Sequence, residues 1–224
     1  MQPLFITGIG TGIGKTLVAA IITEALGAAY WKPVQAGFDE GTDTDWVEQR
    51  ISRPDGRIFP EAYKLILPAS PHIAAREEGV IISLDRIADQ FHAIRSAPGP
   101  AGPAPAPFLV IEGAGGLLVP LNDTQFVLDL AQKLDAIVLL VSRNYLGSIN
   151  HSLLTAAACR AQGLRVAGWI FNDQYLHYEQ EIAQWSGIPA IASIPFRADP
   201  DKEFVQEQAE RIRPGLLAAL HACG

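Results

Sequence analysis

The segment Thr7-Gly-Ile-Gly-Thr-Gly-Ile-Gly-Lys-Thr16 holds the residue types that grip a phosphate chain. Glycines let successive backbone N–H groups converge on an anion. A helix opening at Lys15 adds the positive end of its dipole. The Lys15 ammonium would then reach the β- and γ-phosphates of a nucleoside triphosphate, and the Thr16 hydroxyl would ligate Mg2+. The stretch from Gly8 to Gly14 is one residue longer than in the usual phosphate loop. A glycine-rich strand-to-helix turn is the plainer alternative, but Gly8, Gly10, Gly12 and Gly14 lead straight into Lys15 and Thr16, which favours phosphate binding.

Four other groups carry charge or hydrogen-bonding capacity to similar places. Glu112, in Glu112-Gly-Ala-Gly-Gly116, ends an apolar run and sits where a Mg2+ ligand is needed, since Mg2+ takes hard oxygen donors and few carboxylates. The glycines after it would allow close backbone approach to phosphate. Lys32, in Tyr30-Trp-Lys-Pro-Val-Gln-Ala-Gly37, follows a second apolar run. The chain holds five lysines against twelve arginines, and two of the five fall in these motifs, which suggests compact point charges rather than snorkelling surface side chains. In Gly41-Thr-Asp-Thr-Asp45, Asp43 and Asp45 open a helix, as metal ligands or as simple N-caps. Tyr145-Leu-Gly-Ser-Ile-Asn-His151 also opens a helix, with Ser148 as its N-cap and bare N–H groups suited to a carboxylate. His72 and His151 have no catalytic partner in sight.

These residues need a scaffold that brings strand ends together. Pro3–Thr7, Ala29–Pro33, Phe108–Ile111, Ala136–Val141, Val166–Phe171 and Ala190–Ile194 read as strands. They are apolar almost throughout, as in a parallel sheet covered on both faces. Helices are predicted at Lys15–Leu26, closed by Gly27, and at Asp43–Ile51, Thr124–Leu134, Ser148–Gln162 and Gln174–Ser186. The alternation implies an α/β fold: a doubly wound, mostly parallel sheet flanked by helices, of the P-loop NTPase kind. Phe38–Ser70 is irregular around its one helix, and Ala97–Pro107, with five prolines, reads as a surface loop.

At 224 residues the chain fits a single domain over its whole length, and 49% hydrophobic residues supply a core. A net charge of −7 speaks against nucleic-acid binding. The sequence has no apolar run long enough for a bilayer and no secretory leader, and Cys159 and Cys223 form neither a disulfide framework nor a zinc pattern. A cytoplasmic protein without membrane partners is expected.

Taken in order, Thr7-Gly8, Gly14-Lys-Thr16, Lys32-Pro-Val-Gln35, Thr42-Asp43, Ser70-Pro-His72, Glu112-Gly-Ala-Gly-Gly116, Gly147-Ser-Ile-Asn-His151 and Gly168-Trp-Ile-Phe-Asn-Asp173 resemble the ATP-dependent dethiobiotin synthetases of biotin biosynthesis, nearly end to end. The longer phosphate loop is a feature of that family. The resemblance implies a ligase (a cyclo-ligase) that takes 7,8-diaminopelargonic acid, CO2 and ATP to dethiobiotin, ADP and phosphate. Lys32 and Lys15 would be catalytic, and Thr16, Asp43 and Glu112 would hold Mg2+. Asp43 is favoured over Asp45 because Val47, four positions on, matches the family's hydrophobic residue. The nucleotide would lie against Gly12, Ile13, Gly14, Lys15, Thr16 and Leu17, against Gly113, Ala114 and Gly115, and with its base near Asn172, Asp173, Pro195, Phe196 and Arg197. Substrate would meet Thr11, Gln35 and Ala36. Its carboxylate would meet Gly147, Ser148, Ile149 and Asn150 contributed across a homodimer interface.

Ala36 stands where the family commonly has a hydroxyl residue, and Gly12 where some members are acidic. Rival readings fit less well. ATPase switches that partition DNA or position division sites carry an extra lysine early in the loop, and Gly8–Gly14 has none. Synthetases acting on cobalamin precursors append a glutaminase domain with a nucleophilic cysteine. A nucleotide-binding protein without turnover would show no substrate-dependent phosphate release.

Overall fold

The computed structural model describes residues 1–55, 57–96, 106–173 and 175–223. Most of the proline-rich stretch 97–107 therefore lies outside the described residues. The elements run β1 (Gln2–Gly8), α1 (Lys15–Leu26), β2 (Ala29–Trp31), β3 (Val34–Ala36), α2 (Asp43–Arg50), β4 (Ile58–Phe59), β5 (Tyr63–Leu65), α3 (Pro71–Glu77) and α4 (Leu84–Ser96). Then follow β6 (Phe108–Glu112), α5 (Val127–Lys133), β7 (Ile137–Arg143), α6 (Ser148–Ala161), β8 (Val166–Asn172), α7 (Glu179–Ser186), β9 (Ala190–Ile194) and α8 (Lys202–Cys223).

Seven strands form one sheet in the order β4-β2-β6-β1-β7-β8-β9, with each neighbouring pair parallel. Side chains alternate across it. Leu4, Ile6, Tyr30, Val110, Leu139 and Val141 pack on one face with α1 and α8. Phe5, Trp31, Leu109, Ile111, Val138 and Leu140 pack on the other with α4 and α5. Both faces are covered, which is why the strands read as continuous apolar runs. The chain leaves β1 toward β2 on one side and later crosses to β7 on the other, so β1 stands where the strand order reverses. Ligands of open α/β sheets bind at the carboxyl ends beside such a point.

Several predicted boundaries shift for physical reasons. β2 stops at Trp31, and Pro33 carries no N–H for the main sheet; its carbonyl instead accepts from Ala62 N and Tyr63 N at 2.9 and 3.0 Å. The chain turns there into a separate two-stranded parallel sheet, β3 with β5. α5 starts at Val127, later than expected, because Asn122 folds residues 122–125 into a turn and Asp129 accepts from Phe126 N at 2.6 Å. α7 starts at Glu179; a 3-10 turn at Tyr175–His177, with Leu176 at φ 58°, precedes it.

Candidate functional site

Strand register builds the site. Ile6 of β1 pairs with Glu112 of β6, and Trp31 of β2 pairs with Ile111. Lys32, one residue beyond Trp31, therefore stands beside Glu112 at the carboxyl edge. Between β1 and α1 the glycine loop turns tightly, and Gly14 caps the helix at φ 89°. A side chain on Gly14 would be both strained and driven into the carboxamide of Asn172. That carboxamide, at the end of β8, donates to Ile13 O at 3.0 Å and ties the loop to the sheet.

A cavity of about 780 Å3 opens over this edge. The glycine loop contributes Thr11, Gly12, Gly14, Lys15 and Thr16. The β2–β3 connection contributes Lys32, β3 contributes Gln35 and Ala36, α2 contributes Asp43, the end of β6 contributes Glu112, and the turn after it contributes Ala114 and Gly115. Ile13 is buried beneath the loop, and Leu17 packs partly buried against the core. Gly113 is fixed by its N–H to Ile6 O at 2.9 Å. The sequence reading omitted Val34, Val119 and the Pro68–Pro71 segment, which also line the cavity.

Two ammonium groups and two carboxylates meet here. Lys32 Nζ pairs with Asp43 Oδ2 and, at 3.0 Å, with Glu112 Oε1. Glu112 also accepts from Thr16 Oγ1 at 2.9 Å and, on its other oxygen, from the Tyr30 hydroxyl at 2.8 Å. Lys15 Nζ lies back on Gly10 O at 2.7 Å. Burial alone would lower Lys32, but Glu112 and Asp43 outweigh it and hold the ammonium above its ordinary range. Lys15 forms no such pair among the described residues. Burial, joined by repulsion from Lys32, pulls it down to about 8 against the attraction of Glu112. Burial, then the charge of Glu112, pushes the Tyr30 phenol up, so it stays a donor.

The two acids of α2 take different roles. Thr42 is the N-cap: it accepts from Asp45 N at 3.0 Å, while Asp45 Oδ2 accepts from Thr42 N at 3.0 Å. This reciprocal pair is a capping box. The Thr42 hydroxyl and backbone hold the Asp45 carboxyl below its usual range. Asp43 instead turns toward Lys32, with its N–H donated to Gln35 Oε1 at 3.3 Å.

The donor set near Thr16 consists of a hydroxyl and two carboxylates, all hard oxygens. Among the described residues no three His, Cys, Asp or Glu side chains gather as a metal cluster. Few protein ligands, with phosphate and water completing the shell, is what Mg2+ requires.

A second cavity of about 670 Å3 lies beyond Asn172, lined by Asp173, Pro195, Phe196, Arg143, Tyr145 and His177 among others. Arg143 reaches Asp173 at 3.4 Å, and Arg197 stacks over Phe204 at 4.9 Å. The structure does not bring Gly147, Ser148, Ile149 or Asn150 to the first cavity. They open α6, with Gly147 as N-cap at φ 102°. Ser148 is not the cap, because its hydroxyl points inward to Tyr178 OH at 2.8 Å and to Tyr145 N at 3.3 Å.

The chain is similar to known proteins at different levels of identity. The family described as "AAA domain" matches residues 2–203. The ATP-dependent dethiobiotin synthetase BioD of Cytophaga hutchinsonii is 51% identical over 213 residues, covering 95% of this chain and 97% of that protein. The protein of the same name from Christiangramia forsetii is 41% identical over 213 residues, covering 95% and 96%. Among solved structures, a chain of the MinC:MinD cell division protein complex of Aquifex aeolicus superposes with a TM-score of 0.58 at 14% identity, covering 99% of this chain and 96% of that one. A ParA family ATPase from Chlorobium tepidum gives 0.57 at 16%, covering 99% and 100%. Identities that low speak for the fold alone.

Proposed function

The chain belongs to the family of ATP-dependent dethiobiotin synthetases, and on that premise we propose that its main cavity is a phosphoryl-transfer site formed by a single P-loop α/β domain over residues 1–224. One observation carries the assignment of roles: Lys15 and Lys32 come from different strand ends, yet both line one cavity with the glycine loop. Phosphoryl transfer asks for positioning and charge neutralisation. The glycine-loop N–H groups and Lys15 hold the ATP phosphates. Asn172, Asp173 and Pro195–Arg197 flank the base, beside the second cavity. Thr16, Asp43 and Glu112 would hold Mg2+, which when bound would supply neutralisation of the phosphate charge.

One amine of 7,8-diaminopelargonic acid adds to CO2, losing a proton, and becomes a carbamate. Gln35 and Ala36 border its place. A carbamate oxygen attacks the γ-phosphorus, ADP departs, and a carbamic-phosphoric anhydride forms. Lys32 lies between carbamate and γ-phosphate, where a fixed cation offsets the charge on both. The second amine attacks the carbamoyl carbon, closes the ureido ring and expels phosphate. The deciding experiment is diaminopelargonate-dependent ADP formation with and without bicarbonate. ADP release indifferent to both would refute the assignment.

Lys15 gives this reading a pH signature. Bound phosphate restores the charged ammonium, so its pKa rises from about 8 on binding. ATP affinity is then full below about 8 and falls as pH rises above it, with a proton taken up on binding in that range. Calorimetry in two buffers of different ionisation heat measures that proton. For the ligand-free protein the sign is opposite. The unfolded chain binds more protons between about 8 and 10.5, so stability rises with pH there.

The active species is a C2 homodimer in this reading. Gly147–Asn150 stand outside the chain's own cavity, and Leu146 and Leu154 beside them are 97% and 61% exposed. From the partner, the bare N–H groups of α6 would meet the substrate carboxylate. Light scattering during turnover should give twice the chain mass; an active monomer would refute it.

A further inference from the structure

Tyr30 has no part in the roles assigned so far, yet it is fully buried and ends on the site. It pairs in register with Val110, two residues before Glu112, so Tyr30 and Glu112 share one face of the sheet. Its hydroxyl donates to Glu112 Oε2 at 2.8 Å. The other oxygen, Oε1, faces Thr16 at 2.9 Å and Lys32 at 3.0 Å. The strand β2 and the residue after it thus supply two donors to one carboxylate: a neutral phenol from the core side and, two residues on, an ammonium from the cavity side. With Oε2 held by the phenol, the carboxylate cannot rotate about its last bond without breaking a buried hydrogen bond, and Oε1 is fixed toward the cavity.

We infer that Tyr30 is the positioning residue that presents Glu112 Oε1 to the divalent cation. This rests on Glu112 being a ligand. Groups that orient a ligating carboxylate are typically worth ~10–100-fold in metal affinity. A merely structural tyrosine would change stability and leave the metal requirement alone.

The test uses Tyr30→Phe, which keeps the ring and removes one oxygen. ADP affinity is measured by titration in EDTA and across a Mg2+ series, beside the Mg2+ dependence of kcat. The expected result is ADP affinity in EDTA within twofold of wild type and a Mg2+ midpoint raised about 10-fold or more in both assays. Saturating Mg2+ should restore most of kcat. In a Glu112→Gln background, Tyr30→Phe should add nothing further to that midpoint. An unmoved midpoint in Tyr30→Phe alongside a moved one in Glu112→Gln would overturn the role of Tyr30 and spare the ligand assignment. An unmoved midpoint in Glu112→Gln would overturn both. Failure of Tyr30→Phe to fold would also overturn it, since the packed ring is left in place.

Discussion

Replacing Lys32 by Gln is expected to lower kcat by about 10²–10³-fold, the usual loss for one preorganised charge contact in a transition state. The ATP KM should change little, because in the proposed site Lys15 and the glycine loop hold the triphosphate in the ground state. Lys32→Arg is expected to be badly impaired as well. Lys32 is 5% exposed, wedged between Asp43 and Glu112, and the planar fork of arginine needs more room and directs its donors differently. Lys32→Gln also leaves two carboxylates facing each other without their counter-ion, so that variant should melt below wild type. Steady-state kinetics with a nucleotide titration separates the two roles. Near wild-type kcat in Lys32→Gln would make Lys32 a structural cation; a raised KM at intact kcat would make it a binding group.

Asp43→Ala and Glu112→Ala should each cut turnover by at least about 10²-fold and raise the Mg2+ requirement. Their stabilities should differ. The Asp43 side chain is 31% exposed and α2 keeps its Thr42–Asp45 capping box, so this variant stays folded. Glu112 is 1% exposed and accepts from Tyr30, Thr16 and Lys32. Its loss strands those donors, at a cost of ~3–5 kcal/mol for a broken buried pair. Thermal denaturation with a Mg2+ titration reads both effects. Wild-type turnover in the two variants would remove these acids from the cation site.

The sequence was most informative where the chain brackets its own elements. Gly14 and Gly27 stand at the two ends of α1, both with positive φ, and the helix runs between them as expected. The long apolar strands were legible because burial on both faces leaves no alternation to confuse. The short strands β3, β4 and β5 were not, since two or three residues carry no period. Nor was α8, whose Pro214 sits inside the helix and argues against a helix interior. At the site, residue types and spacing pointed to Lys15, Thr16, Lys32 and Glu112. They left Asp43 and Asp45 level until the capping box claimed Asp45. Tyr30 escaped notice because an aromatic residue in a strand is ordinarily core. Only the register of β2 against β6 brings its hydroxyl to a carboxylate.

The small β3–β5 sheet has an evolutionary consequence. Lys32 directly follows β2 of the main sheet, and after Pro33 the backbone passes into a wall with its own pairing partner. Gln35 and Ala36 sit on that wall, while Lys15, Thr16 and Glu112 hang from the main sheet. A change at Ala36 in the wall can therefore reshape what enters the cavity while Lys15, Thr16 and Glu112 keep their places at the edge of the main sheet.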